Sequence, residues 1–224
     1  MKIIALSDIH GNLIKIEEEC DVVVIAGDWS PLYSQHDYIA IMDWISKKFI
    51  PWMMCLKADH VIFISGNHDI ACSYSYFEDD LENLLYRFNA KKKIHYLNRK
   101  SIIIDGKKFF GIPDTEGLTG WAFSKLYNVD YSFDEDTDIL ITHQPPQIGD
   151  IGYVSLYKKD FGSISLRDKI HESNIKLNIC GHIHTGLHGE HTTAVKNGNL
   201  ASVYNTSILD EDYIVAYSPT VIEI

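Results

Sequence analysis

Five short polar clusters, each closing or following an apolar run, carry the residues of this chain that could do chemistry. They are Asp8 and His10 in SDIHGN, Asp28 in AGDW, Asn67, His68 and Asp69 in SGNHD, His143 in THQPP, and His182 and His184 in GHIH. Any one string is weak, but the ordered set offers only oxygen and nitrogen donors. Two divalent cations about 3.5–4 Å apart need a ligand that reaches both, and a carboxylate is the natural bridge. The remaining imidazoles, carboxylate and amide oxygen, with no thiolate, suit two divalent transition-metal ions, Mn, Fe, Zn, Ni or Co, without choosing among them. A hydroxide held between such cations is nucleophilic at neutral pH and attacks phosphorus in line with the leaving oxygen. A nearby histidine can protonate that oxygen.

Such residues must be brought together by the elements before them. Lys2 to Ser7, Asp21 to Ala26 (DVVVIA) and His60 to Ser65 (HVIFIS) are runs that fit strands buried on both faces. Helical spacing of apolar residues covers about Gln35 to Phe49 and Phe77 to Asn89. Strand, helix, strand implies crossovers and a parallel core sheet. Beyond Lys93 the spacing predicts strands at Ile94 to Leu97, Ser101 to Ile104 and Lys108 to Ile112, with Asp105-Gly106 as a hairpin turn. A strand at Asp138 to Thr142 follows, then a helix at Ile164 to Ser173 and a strand at Lys176 to Cys180. Further strands are expected around Leu200 to Tyr204, Tyr213 to Tyr217 and Thr220 to Ile224, with a turn at Asn197-Gly198. Asp8, Asp28, Asn67, His143 and His182 then fall at or just past the C-terminal ends of strands, where ligands collect in open α/β sheets.

Composition bounds the rest. A chain of 224 residues, 46% hydrophobic and without repeats or a low-complexity linker, suits one domain spanning 1–224. No apolar stretch approaches the roughly 20 residues of a membrane helix, so no membrane partner is expected. The opening MKIIALSDIH is too short for a secretory signal. Cys20, Cys55, Cys72 and Cys180 lack framework spacing and read as buried thiols in a cytoplasmic protein. A net charge of −11 with only Arg87, Arg99 and Arg167 as guanidinium groups disfavours long nucleic acid. The Lys91 to Lys93 run reads as the solvated end of a helix. The expected partner is a small phosphoester substrate; a protein partner is left open.

The ordered set DxH, GD, GNHD, H and GHxH, from Asp8 to His184, resembles the calcineurin-like metallophosphoesterase superfamily. The resemblance implies a four-layer αββα sandwich of two mixed β-sheets flanked by helices. It implies that Asp8, His10 and His184 bind one metal and Asn67, His143 and His182 the other, with Asp28 bridging. His68 would be the acid that assists the leaving group, and Asp69 would hold its ring by a hydrogen bond. Protein serine/threonine phosphatases of this fold carry GDxVDRG and RGNHE; GDWSP and SGNHD here lack the arginine associated with phosphoproteins. The THQPP, GSISLRDKI and NICGHIH strings are more similar to the small single-domain phosphodiesterase-like branch. The implied activity is hydrolysis of small phosphodiesters. Phosphomonoesters or short oligonucleotides are alternatives for the same site, and a catalytically silent metal-binding scaffold is the alternative of another class.

Other residues have plainer readings beside functional ones. His36, His60, His95 and His171 read as surface or core histidines. His188 and His191 either line the cleft or lie on a loop or strand surface. Asn12 either contacts substrate or forms the turn with Gly11. Trp29 and Tyr33 form either an aromatic wall or core packing. Gly66 and Gly181 read as points of close backbone approach, and Arg167 and Lys169 as a solvated helix face.

Overall fold

A computed structural model describes residues 1–224. The chain opens with β1 (Lys2–Leu6) and β2 (Cys20–Ala26), then α1 (Tyr38–Trp44) and α2 (Ile50–Cys55), then β3 (Ala58–Ile64). After α3 (Phe77–Arg87) come β4 (Ile94–Tyr96), β5 (Lys100–Ile104) and β6 (Lys107–Ile112). A two-stranded ribbon of β7 (Thr115–Glu116) and β8 (Ser124–Lys125) precedes β9 (Ile139–Thr142). A second ribbon, β10 (Tyr153–Val154) with β11 (Lys159–Asp160), precedes α4 (Ile164–His171) and β12 (Leu177–Cys180). The chain ends with β13 (Gly189–Ala194), β14 (Leu200–Asn205) and β15 (Thr220–Glu223).

Two mixed sheets result. The first has the order β15-β1-β2-β3-β4, parallel except where β15 runs antiparallel to β1. The second has the order β13-β14-β12-β9-β6-β5, with a parallel centre and antiparallel edges. The period of two along each strand explains how they stack. Ile3, Ala5, Val22, Val24, Ile62 and Ile64 of the first sheet pack with Phe109, Ile139, Ile141, Leu177 and Ile179 of the second. The alternate residues Ile4, Val23, Ile25, Val61 and Phe63 face Ile41, Phe49, Met53, Phe77 and Leu81 of the helices. Phe110 and Leu140 face Leu166 and Ile170 of α4. The layers are therefore helix, sheet, sheet, helix, as the resemblance implied, and apolar burial on both faces of each sheet is the main force holding them.

Three departures from the expected elements have physical causes. The first helix does not stop at Phe49: a π-helical turn over Ile45–Phe49, closed by Ile50 N–H on Ile45 O, joins α1 to α2. Pro51 follows at once, and the wider turn sits where an α-helical proline would lose its hydrogen bond and clash with the preceding turn. The segment Tyr213 to Tyr217 is not a strand; its one ladder contact is the Leu209–Val215 bridge, and its residues are exposed. Asp210 Oδ1 instead accepts from Asp212 and Ile214 N–H at 3.0 and 2.9 Å, curling the chain. The edge strand β13, GEHTTA, was not expected, because half-exposed polar residues carry no apolar alternation. The Asp105-Gly106 turn is as expected, with φ of 47° and 73°.

Candidate metal centre

The loops that leave β1, β2, β3, β9 and β12 converge at one edge of the sandwich. Those after β1 and β2 run side by side: Asp8 N–H donates to Gly27 O and His10 N–H to Asp28 O, both at 3.0 Å. Asp8, His10, Asp28 and His182 take left-handed backbone conformations, with φ of 54°, 42°, 52° and 71°. Each such turn costs on the order of 1 kcal/mol and persists because its surroundings over-determine it. These turns aim consecutive polar side chains inward from strands that are otherwise wholly apolar. Glycines make the approach feasible: a Cβ on Gly181 would collide with Ser7 Oγ and Asp8 Oδ2, and one on Gly66 with Asp28 Oδ1 and the His143 ring.

Two donor groups form, each with ligand atoms within 4.8 Å of one another: Asp8, His10 and His184, and Asp28, His143 and His182. Asn67 joins the second, its Oδ1 3.1 Å from His143 Nε2. Asp28 Oδ2 faces both groups, 3.2 Å from His143 Nε2 and 3.9 Å from His10 Nε2. Its Oδ1 accepts the His68 backbone N–H at 2.7 Å. Asp8 divides its carboxylate in the same way. Oδ2 accepts from Ser7 Oγ at 2.5 Å, Ser207 Oγ at 2.7 Å and His182 N–H at 2.9 Å. Oδ1, like both ring nitrogens of His10, is buried without a partner in the protein. Buried polar atoms are nearly always paired, so these orphaned atoms fit a cation. Two imidazoles are set in the tautomer a metal needs. His143 Nδ1 donates to Ala26 O at 2.9 Å and His184 Nδ1 to Asp210 O at 2.8 Å, directing each Nε2 at a carboxylate.

The titration behaviour is that of a buried cluster of carboxylates and imidazoles that share protons. Burial disfavours charge on His143, but Asp28 and Asp8 overcome it and raise its pKa to about 9. His184 rises to about 9 as well: burial opposes its charge, and the Asp8 carboxylate prevails. Burial takes His10 down to about 4, and burial with the neighbouring His143 takes His182 down to about 4. Burial alone would raise Asp8 and Asp28, yet the surrounding imidazoles hold both well below the ordinary carboxylate range.

The expected role of Asp69 requires correction. Its carboxylate does not touch the His68 ring: Oδ2 accepts from the backbone N–H of Asp28 and Gly66, and Oδ1 from that of Ser30, each at 2.8 Å. A carboxylate pinned by three backbone donors fastens the loop after β2 to that after β3. The ring's Nδ1 meets Gln35 Oε1 instead, at 2.8 Å. Trp29 is core, donating from Nε1 to Ile64 O at 3.1 Å and stacking on Phe49, and Tyr33 is 85% exposed. Asn12 forms the turn, bonding Ile9 O at 2.9 Å. His188 stacks on Tyr217 and bonds the carbonyl of His184, and His191 lies on β13 beside Gly149.

The wall of the site comes from residues the sequence did not single out. A cleft of about 460 Å³ opens onto Asp28, Asn67, His68, His182 and His184, and Trp121, Tyr157 and Tyr213 line it with Leu118 and Leu156. Trp121 lies with its ring centroid 4.5 Å from that of His68. Tyr213 packs against His10 and His184 at 5.0 and 5.2 Å. Trp121 sits between β7 and β8, and Tyr157 between β10 and β11, in short ribbons without a strong pattern.

A layered sandwich with carboxylates and imidazoles at its strand ends is the architecture of a metal-dependent hydrolase. The chain belongs to the calcineurin-like phosphoesterase family, whose model matches residues 1–186. It is similar to human metallophosphoesterase domain-containing protein 1, 24% identical over an alignment of 229 positions that covers 90% of this chain and 67% of that one. A Caenorhabditis elegans UPF0046 protein is 24% identical over 212 residues, 89% of this chain and 67% of that one. Among solved structures, the phosphopantetheinyl hydrolase of Mycobacterium tuberculosis shares the fold, with a TM-score of 0.57 at 13% identity over 95% of this chain and 90% of that one.

Proposed function

We propose that this protein is a binuclear metal-dependent phosphodiesterase acting on small organic phosphodiesters, with residues 1–224 as one catalytic domain. The observation that carries the diester preference is the lining of the cleft, which holds no Lys or Arg and one further acid, Glu211, among apolar and aromatic side chains. A diester carries one negative charge and an organic group on each side of phosphorus. A monoester near neutral pH carries close to two charges and calls for an additional cation. An oligonucleotide needs a basic track, which this lining does not supply. The unpaired cysteines agree with work in a reducing cytoplasm.

Asp8, His10 and His184 would hold one cation, Asn67, His143 and His182 the other, and Asp28 both. Their nitrogen and oxygen donors favour a transition metal such as Mn. Bound there, the cations would supply Lewis-acid activation of water and neutralise charge on the phosphoryl oxygens. Backbone contacts fix Asp28 and Asp8 so that one oxygen of each stays free for this purpose. His68 lines the cleft, and as the imidazolium, protonated on both ring nitrogens, it would pass its Nε2 proton to the departing ester oxygen as the P–O bond breaks.

The test is hydrolysis of bis-p-nitrophenyl phosphate and p-nitrophenyl phosphate by metal-stripped protein resupplied with Mn, Ni, Co, Zn or Mg. Diester turnover restored by a transition metal is expected. Monoester-dominated turnover would overturn the diester preference, and silence on both with metals bound would favour the scaffold.

A further inference from the structure

His68 is confined on three sides. The His10 ring meets it edge-on at 4.9 Å, with an interplanar angle of 89°, and the Trp121 ring lies 4.5 Å away at 49°. The third contact is the hydrogen bond between Nδ1 and Gln35 Oε1, at 2.8 Å. An amide oxygen only accepts, so this contact requires the proton on Nδ1 and leaves Nε2 as the nitrogen that exchanges protons with the cleft. Gln35 is itself held between two fixed points. Upstream, Ser30 N–H is pinned to Asp69 at 2.8 Å. Downstream, Asp37 caps α1 by accepting Ala40 N–H at 3.0 Å.

We propose that Gln35 is the positioning residue for His68: its side-chain carbonyl sets the tautomer of the ring and the direction of Nε2 into the cleft. An amide suits this place physically. Asp8, Asp28 and Asp69 already crowd three buried carboxylates around the strand ends. A neutral acceptor orients the ring without adding a further acid to this group. The catalytic consequence rests on the proposed phosphodiesterase reading; the tautomer does not.

The deciding measurement is therefore made first on metal-free protein, by long-range proton–nitrogen NMR of the His68 imidazole at pH 8. A protonated Nδ1 and a bare Nε2 are expected in the native protein. Gln35→Ala should shift the ring toward the Nε2–H tautomer, and Gln35→Glu, which keeps the reach and an acceptor, should retain Nδ1–H. A native ring protonated on Nε2, as it would be were the amide reversed and donating, overturns the proposal, as does a tautomer indifferent to Gln35→Ala. In the metal-loaded enzyme, Gln35→Ala should lower kcat roughly 10- to 100-fold with KM little changed. Gln35→Glu should recover much of that loss. In a His68→Ala background Gln35→Ala should cost nothing further. Equal loss in both backgrounds, or a loss confined to KM, would also overturn it. Absence of hydrolysis by the native protein would sink the phosphodiesterase reading and leave the NMR result to decide the role of Gln35.

Discussion

The metal cluster and the cleft wall are built by opposite means. Asp8, Asp28 and His143 are buried, each fixed by hydrogen bonds to neighbouring strands or loops, and they lie one or two residues past strands of the two sheets. Trp121 and Tyr213 are 38% and 41% exposed, and sit in a short ribbon and a curled loop. The cluster is thus specified by the core of the fold, because a strand end cannot move without the sheet. The wall can change shape or composition with little cost to the core. On the proposed function, reaction chemistry belongs to the first region and substrate choice to the second, and substitutions should separate the two.

The largest effects should come from the cluster. Asp28→Asn or His143→Ala is expected to lower activity by at least about 10³-fold with loss of bound metal, since on the proposed function each would remove a metal ligand. Metal analysis alongside kcat checks this; full activity in either variant would dismantle the two-group assignment. His68→Ala should keep its metals and lose roughly 10²- to 10⁴-fold in kcat, less for esters with good leaving groups. A loss independent of the leaving group would remove His68 from the role of acid.

What the sequence disclosed follows the same division. Runs such as DVVVIA and HVIFIS announce strands buried on both sides, and the polar residue one glycine beyond each run falls at the sheet edge. The positions of Asp8, Asp28, Asn67, His143 and His182 were legible for that reason. The partner of His68 was not, because Gln35 is 33 residues away and reaches it only when the loops after β2 and β3 are packed together. Asp69 adjoins His68 in sequence, yet its carboxylate is consumed by three backbone donors that no side-chain pattern reveals. Tyr213 was read as part of a strand because TyrIleValAlaTyr is apolar and β-branched; Asp210 curls the chain instead. Trp121 lies in a stretch with neither period, so nothing but the assembled fold brings it to the cleft.

Trp121 offers a sharper separation of wall from cluster. Trp121→Ala should raise KM for bis-p-nitrophenyl phosphate about fivefold, the value of about 1 kcal/mol of aromatic contact. Metal content should be unchanged and kcat nearly so, with Trp121→Phe largely restoring KM. A fall in kcat like that of His68→Ala would mean that the indole holds the His68 ring rather than the substrate, and the division between the regions would fail at that residue.

The smallest expected effect concerns stability without metal. His143 and His184 have pKa values raised to about 9 in the fold, against about 6.5 when unfolded. A histidine raised in this way stabilises fully below pH 6.5, and that contribution is lost as pH climbs through 9. His10 and His182, lowered to about 4, act in the other direction, costing stability as pH falls below 6.5. Asp8 and Asp28, held low, are ionised throughout this range and contribute no slope, whereas Asp69, which burial raises to about 7, costs stability as pH rises toward that value. Metal-free protein should therefore be most stable near pH 6.5 and lose Tm progressively as pH climbs to 9.5. Zn-loaded protein should not show this decline, because cations occupy the lone pairs that protons otherwise take. Thermal melts across that range, with and without Zn, decide the matter. The same decline in both forms would show that the raised histidines are not the residues the metal replaces protons on, and would move the cations away from Asp8 and Asp28.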